Sequence, residues 1–302
     1  MSSCFFCGEE ISEKISREHI FGDSFLGYMD LKLEQLTSSQ PHPTSYSKLK
    51  VPSHKTCNTQ EGSWFEQHVL SIIKSMDQNP EHLSGIHIPS DEPINQILRQ
   101  TFTQWLAKLY FGLVYWEAGL KKHVDKARQE WLVSILNTNE FTYLRRCFKE
   151  GLDFKLPSSI FHFYVPDPPE RVFRFDFGNG LPYGLFYIRF RNHLLVAALG
   201  DGNLVHEWFL NEHVRQCQAH INEQSQFDPV IYLHVVAHIW AVRECLPVQP
   251  IIEFNSSGIQ DRSRESLAQR PNIDGDAVNK RAKEILDEHA SKWKNGQCPT
   301  KP

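Results

Sequence analysis

Two short pairs of metal-ligating residues constrain the N-terminal part of this chain more than any other feature. Cys4 and Cys7 are separated by two residues, and so are His54 and Cys57. Each spacing lets a tight turn direct both side chains toward one ion, and three thiolates with one imidazole form an ordinary ligand set for tetrahedral zinc. The pattern therefore predicts a structural Zn²⁺ site. The alternative is that Cys4 and Cys7 are incidental thiols near the N-terminus.

The composition argues against membrane proteins, secreted proteins and strongly basic proteins. The chain has 302 residues, seven of them cysteines, and 40% of its residues are hydrophobic. No uninterrupted apolar run approaches the ~18 residues of a membrane span, and the first residues lack the features of a secretory signal. We therefore expect a cytoplasmic protein that does not enter a membrane, with its cysteines present as reduced thiols or metal ligands. The formal net charge of −4 excludes a strongly basic protein that coats nucleic acid.

Periodicity of the apolar residues predicts an α+β fold with several parts. The predicted divisions are an N-terminal domain at 1–76, a polar, proline-containing linker at 77–93, a helical and then antiparallel-sheet domain at 94–254, and a polar tail with one amphipathic helix at 255–302. Strict alternation at 172–177 and 185–190, on either side of "GNGLPYG", predicts a β-hairpin. A buried strand is predicted at "HLLVAAL", and further helices at 206–223 and 229–245.

Between the two ligand pairs, Glu18 and His19 stand side by side, and Asn58 directly follows Cys57. This order of motifs resembles that of the HNH (ββα-metal, or His-Me finger) endonucleases, and most resembles the phage endonuclease VII type with two zinc knuckles. The run "CNTQEGSWFE" is also similar to the C-N-x3-G-x3-E run of many bacterial HNH proteins. The resemblance covers residues 4 to about 70.

The resemblance implies that residues 1–76 form a zinc-stabilised ββα-metal nuclease module. His19 would be its general base, because a neutral imidazole accepts a proton from water near pH 7. Glu18 and Asn58 would be oxygen ligands of a catalytic Mg²⁺ or Mn²⁺ ion, with Glu66 as a further candidate. The alternatives are a polar strand-end residue for His19, a surface carboxylate for Glu18, a helix N-cap for Asn58 and a helix-face charge for Glu66.

The function predicted in this way is metal-dependent hydrolysis of phosphodiester bonds in DNA. The resemblance also implies a nuclease of anti-phage defence or of a mobile element, and residues 94–254 would then be a regulatory or partner-docking domain. One alternative is a non-catalytic zinc-containing nucleic-acid-binding or adaptor module, and a second is an RNA-cleaving toxin on the same scaffold. Residues 1–76 contain 7 Lys and Arg against 9 Asp and Glu, which disfavours passive binding because phosphate neutralisation supplies much of the affinity for nucleic acid.

Overall fold

The computed structural model has an α+β fold, as predicted, and its described residues divide into two units. Those up to Lys155 form the first unit, and those from Leu156 onward form the second. The described residues are 3–12, 14–36, 44–78, 93–120, 124–164, 173–180, 183–200, 237 and 274–294.

The N-terminal part of the first unit contains an antiparallel strand pair, and helical segments follow its second strand. In chain order its first elements are β1 (Ser16–His19), α1 (Asp23–Tyr28), β2 (Gln35–Leu36), β3 (Thr44–Ser45), a 3-10 turn (Tyr46–Lys48), β4 (Lys50–Ser53), α2 (Lys55–Cys57), a π-helical turn (Asn58–Gly62) and α3 (Ser63–Gln78). β1 pairs antiparallel with β4, and His19 lies opposite Lys50. β2 pairs with β3 in a separate two-stranded ladder.

Three further helices complete the first unit and confirm the helical pattern predicted from residue 94: α4 (Pro93–Gly119), α5 (Lys126–Leu136) and α6 (Asn139–Glu150). Every residue from Trp105 to Val114 is buried, as expected for a helix that is apolar around its circumference. α4 is therefore the central helix of this unit, and Lys108 is the charged residue in its buried stretch. Neither α4 nor any other described helix is long and apolar enough to cross a membrane.

Aromatic side chains pack the N-terminal segment against α6. Phe5 and Phe6 are each 1% exposed. The Phe5 ring centroid lies 5.6 Å from that of Phe141, and the Phe6 centroid lies 4.9 Å from that of Phe148. Arg145 Nε also donates a hydrogen bond to the backbone oxygen of Phe5 at 3.0 Å. The first unit therefore includes helices that the sequence analysis placed in a second domain.

The second unit contains a four-stranded antiparallel sheet. Its strands are β5 (Ser159–Tyr164), β6 (Phe173–Gly180), β7 (Tyr183–Phe190) and β8 (His193–Leu199), in the order β5-β8-β7-β6. The pairing of β6 with β7 confirms the predicted hairpin, and β8, which is buried at every residue, confirms the predicted buried strand.

The predicted amphipathic helix of the tail is also present, as α7 (Gly275–Lys294). The helices predicted at 206–223 and 229–245 lie outside the described residues, apart from Ala237.

Candidate functional site

The four residues predicted to bind zinc meet at one point. One ligand atom from each of Cys4, Cys7, His54 and Cys57 lies within 4.8 Å of the other three. His54 Nδ1 is 3.4 Å from Cys7 Sγ and 3.9 Å from Cys57 Sγ, separations that suit ligands bound ~2.0–2.3 Å from one zinc ion. Within the described ranges, this is the one group of at least three His, Cys, Asp or Glu side chains placed to hold a metal ion. The cluster can hold a metal ion and is compatible with structural zinc.

Backbone geometry positions these ligand atoms. Gly8 adopts a φ of 77°, in the left-handed region that favours glycine, and its N–H donates to the Cys4 carbonyl at 2.9 Å. The N–H of His54 donates to Cys4 Sγ at 3.4 Å. His54 Nε2 donates to the Glu10 carbonyl at 3.2 Å, so the other ring nitrogen, Nδ1, is the one that faces the thiols. The imidazole is therefore oriented as a metal-ligating histidine usually is.

The thiols also show why this cluster suits a cation. Burial raises the pKa of Cys4, but hydrogen bonds from the backbone amides of Cys7, His54 and Phe6 outweigh burial and lower it overall. Burial, followed by the charges of Cys4 and Cys7, raises the pKa of Cys57 to about 12. Three thiolates so close together are unfavourable without a compensating positive charge, which a divalent cation supplies.

His19 ends strand β1 with a half-buried side chain. Burial lowers its pKa below the usual value, and the positive charge of Lys50 lowers it further, while Asp23 and Glu18 act in the opposite direction. The imidazole is therefore neutral near pH 7. A neutral, partly accessible imidazole can accept a proton from water.

A buried ion cluster holds the strand end that carries His19. Lys108 Nζ donates to Glu18 Oε1 at 2.9 Å and to the backbone oxygen of His19 at 3.1 Å, and it also donates to Glu66 Oε1. Lys108 is 1% exposed and Glu18 is 6% exposed. Removing a charge from water is costly, so the ammonium of Lys108 and the two carboxylates stabilise one another inside the protein. Lys108 thus connects α4 with the end of β1 and the first turn of α3.

Protonation within this cluster is linked. Burial raises the pKa of Glu66 to about 7, with Lys108 lowering it and the Glu18 charge raising it. Burial lowers the pKa of Lys108, but the two carboxylates outweigh burial and raise it overall. Lys108 is therefore charged at neutral pH, and it compensates the charge of the carboxylates.

Gly62, the glycine of the C-N-x3-G-x3-E run, lies against this cluster. A Cβ at this position would lie 3.2 Å from Glu18 Oε1 and 3.1 Å from Phe6 Cζ. Glu66, the last residue of the run, contacts the same lysine as Glu18. The run therefore brings the start of α3 close to β1.

Asn58 connects the helix to the same strand. Its Nδ2 donates to Ser16 Oγ at 3.0 Å. The N-cap position of the helical segment that begins at Lys55 is occupied by His54, so the N-cap alternative for Asn58 is wrong. The donation to Ser16 leaves the amide oxygen of Asn58 as the atom that a cation would use.

Lys108 is the residue that sequence reasoning missed. One signal could have found it, because Lys108 is the single charged residue between Arg99 and Glu117, in a helical run that is mostly apolar. A charged residue in such a position needs a buried partner of opposite charge. Glu18 and Glu66 are those partners, although each was predicted to have another role.

Comparisons with known proteins add no relative. No protein-family model, no curated protein and no solved structure matches this chain. The resemblance to HNH endonucleases therefore depends on the motif residues themselves.

Proposed function

We propose that the first unit is a metal-dependent endonuclease that hydrolyses phosphodiester bonds of DNA, with His19 as its general base. The position of His19 carries this proposal. His19 ends one strand of an antiparallel pair, and the metal-binding cluster joins the other strand to the helix that follows. This strand–strand–helix order is the one that the motif resemblance implies for a ββα-metal nuclease.

The chemistry of His19 supports the same role. Its imidazole is half-buried and has a lowered pKa, so it is in the proton-accepting form near pH 7. In the proposed reaction His19 takes a proton from water while the water oxygen forms a bond to phosphorus. The bond between phosphorus and the leaving sugar oxygen then breaks, and that oxygen takes up a proton from solvent. The hydrogen bond from Lys108 to the His19 carbonyl fixes the strand end during this step.

A bound Mg²⁺ or Mn²⁺ ion would supply Lewis-acid stabilisation of the phosphate and the leaving oxygen. Asn58 would hold it through its amide oxygen. Glu18 would contribute the carboxylate oxygen other than Oε1, because Oε1 accepts from Lys108, and the same limit applies to Glu66. Such a small set of ligands is acceptable for Mg²⁺, which keeps several waters when it binds to proteins.

Zinc has a separate, structural role in this proposal. Cys4 and Cys7 precede β1, and His54 and Cys57 follow β4, so one ion would fasten both ends of the strand pair. Small metal-binding modules commonly obtain much of their folding free energy in this way.

One observation favours a second candidate, a non-catalytic zinc-containing nucleic-acid-binding or adaptor module. Lys108 already compensates Glu18 and Glu66, two of the three predicted ligands of the catalytic cation. If that ion pair excludes the cation, the strand–strand–helix scaffold would have a binding role without cleavage.

The deciding experiment uses the purified, zinc-loaded full chain with supercoiled plasmid and, separately, with structured RNA. Each is incubated with Mg²⁺, Mn²⁺ or EDTA at a concentration that leaves zinc bound. We expect relaxed or linear plasmid only when Mg²⁺ or Mn²⁺ is present. Cleavage of RNA without cleavage of plasmid would instead favour the RNA-cleaving alternative.

The His19→Ala variant shows whether this protein, rather than a contaminating nuclease, cleaves the plasmid. It also shows whether a loss of cleavage comes from lost catalysis or from misfolding. We expect its cleavage rate to fall by roughly 10²-fold or more, the usual scale for a lost general base. Its zinc content and unfolding transition should match the wild type, because His19 is not one of the four residues whose ligand atoms could hold zinc. Cleavage at the wild-type rate by His19→Ala would overturn the hydrolase proposal in favour of the adaptor module.

A further inference from the structure

Lys50 on β4 lies directly opposite His19, the proposed general base on β1. The Ile20 N–H donates to the Leu49 carbonyl at 2.9 Å, so the adjacent pair, His19 with Lys50, is one whose backbone groups do not bond to each other. The two side chains of such a pair leave the same face of the strands, with Cβ atoms roughly 4.5–5.5 Å apart. The ammonium of Lys50 is therefore carried on the same face as the imidazole of His19.

That face is not the one that contains the buried ion cluster. Successive residues of a strand point to opposite faces, and the neighbouring pair, Glu18 with Val51, is buried, with exposures of 6% and 1%. The side chains of His19 and Lys50 are only half-buried. A ligand can therefore approach both from solvent, whereas Lys108 is enclosed and already bound to two carboxylates.

The positive charge of Lys50 is not used in an ion pair. In the part of the chain that the structure describes, Lys50 forms no salt bridge. Asp23, the carboxylate with the largest effect on the pKa of His19, binds Lys32 Nζ at 2.6 Å. The bond to Lys32 is the main cause of the lowered pKa of Asp23, and the charge of Lys50 is the smallest. The ammonium of Lys50 thus remains to be compensated by an anion beside His19.

We propose that Lys50 binds a non-bridging oxygen of the phosphate that is attacked by the water from which His19 takes a proton. The base and the phosphate must reach the same water molecule, and two side chains from opposite positions of one strand pair can do so. Lysine binds phosphate as a point charge, and a cation held at oxygens where negative charge develops stabilises the transition state. This inference rests on the proposed function, and it adds a catalytic cation that belongs to the protein itself.

The first measurement is the rate of plasmid cleavage by the zinc-loaded full chain with Mg²⁺. Lys50→Met removes the charge and retains an unbranched side chain, whereas Lys50→Arg retains a charge. Lys126→Met is the control, because Lys126 is an exposed lysine on α5. The rates are compared at about pH 8, above the pKa of ~6.5 of an ordinary histidine. His19 is then neutral in every variant, so a change in rate cannot come from protonation of His19.

We expect Lys50→Met to lower the single-turnover rate roughly 10²-fold, the usual scale for loss of one group that stabilises charge in the transition state. Lys50→Arg should restore most of the rate, and Lys126→Met should cleave as the wild type does. Cleavage at the wild-type rate by Lys50→Met would overturn the role of Lys50 and would retain the nuclease.

The second measurement is binding without cleavage, made in the His19→Ala background. A short fluorescein-labelled DNA duplex is titrated at several salt concentrations, and anisotropy gives the binding constant. Each phosphate contact contributes about 0.9 to the slope of the logarithm of this constant against that of the salt concentration. Lys50→Met should therefore reduce the magnitude of the slope by about 0.9, and Lys50→Arg and Lys126→Met should leave it unchanged.

The two measurements distinguish this inference from the nuclease proposal. A wild-type protein that leaves the plasmid intact, together with the expected change in slope, would retain the phosphate contact of Lys50 and reject the nuclease. An unchanged slope, or no binding of the duplex at all, would overturn the contact whether or not the plasmid is cleaved. A lower cleavage rate of Lys50→Met would in that case show that Lys50 acts only through the structure of the strand pair.

Discussion

The ammonium group of Lys108 donates a hydrogen bond to Glu18 at 2.9 Å, although the two residues are 90 positions apart in the chain. Both side chains are buried. The same ammonium also binds the carbonyl of His19. A residue of the central helix α4 thereby fixes the strand end on which the proposed general base lies.

Replacing Lys108 by Met should destabilise the first unit by about 3–5 kcal/mol, because removal of one partner leaves buried carboxylates uncompensated. The measurement is chemical denaturation followed by circular dichroism. Lys126→Met is the matched control, since the ion pair of Lys126 with Glu130 is exposed and should contribute less than ~1 kcal/mol. Adding Glu18→Gln and Glu66→Gln to Lys108→Met should recover part of the loss. Similar stability of Lys108→Met and Lys126→Met would contradict the assigned role.

The metal cluster could be predicted from sequence because its information is local. Two residues between Cys4 and Cys7, and two between His54 and Cys57, place each pair on one turn whatever the rest of the chain does. The β6–β7 hairpin was predictable for a similar reason, because alternation and turn residues are adjacent in sequence.

The environment of Glu18 could not be predicted in this way. Its motif position suggested a cation ligand, whereas the direction of its carboxylate depends on Lys108 of α4, which lies beyond the predicted linker. A lysine in an apolar helical run indicates a buried partner of opposite charge, but nothing in the sequence shows which carboxylate that partner is. The packing of Phe5 and Phe6 on α6 was missed for the same reason, since nothing near them in sequence indicates their partners.

Gly22→Ala should perturb the buried ion cluster through Glu66. A Cβ on Gly22 would overlap with Glu66 Oε2, and a shift of the Glu66 carboxylate would disturb the bond that its other oxygen accepts from Lys108. We expect a loss of about 1–3 kcal/mol, the usual scale for forced overpacking, and a lower rate of plasmid cleavage. Thermal unfolding measures the first effect. Gly119→Ala is the control because a Cβ there meets no atom within 4 Å, and an equal effect of both variants would reject the overpacking argument.

The raised pKa of Glu66 predicts a pH dependence of stability. Burial, the largest cause, raises this pKa from 4.5 to about 7 in the folded protein. Between these values the folded state holds a proton that the unfolded state releases, so this contribution to stability is complete below about pH 4.5 and is lost as pH rises through about 7.

Glu66→Gln removes that titrating group. Its free energy of unfolding, relative to that of the wild type, should therefore increase as pH rises from 5 to 7. Denaturation of both proteins at pH 5, 6 and 7 measures this difference in free energy of unfolding. Both proteins contain the zinc cluster, so the effects of pH on that cluster cancel in the difference. A difference that is constant with pH would show that Glu66 does not titrate in this range.

Loss of zinc should affect folding far more than loss of an ordinary thiol. Cys4→Ala removes a fully buried ligand, and we expect zinc content to fall well below one ion per chain and the first unit to lose more than ~3 kcal/mol of stability. Packing of Phe5 and Phe6 against α6 should leave residual structure rather than a fully unfolded segment.

His54→Cys should retain zinc, because thiolate and imidazole are both good tetrahedral ligands. Cys147→Ala is the control, since Cys147 is a buried thiol outside the cluster. Elemental analysis and denaturation of the three variants provide the measurement, and a folded wild-type protein without bound zinc would reject both the structural site and the nuclease proposal that depends on it.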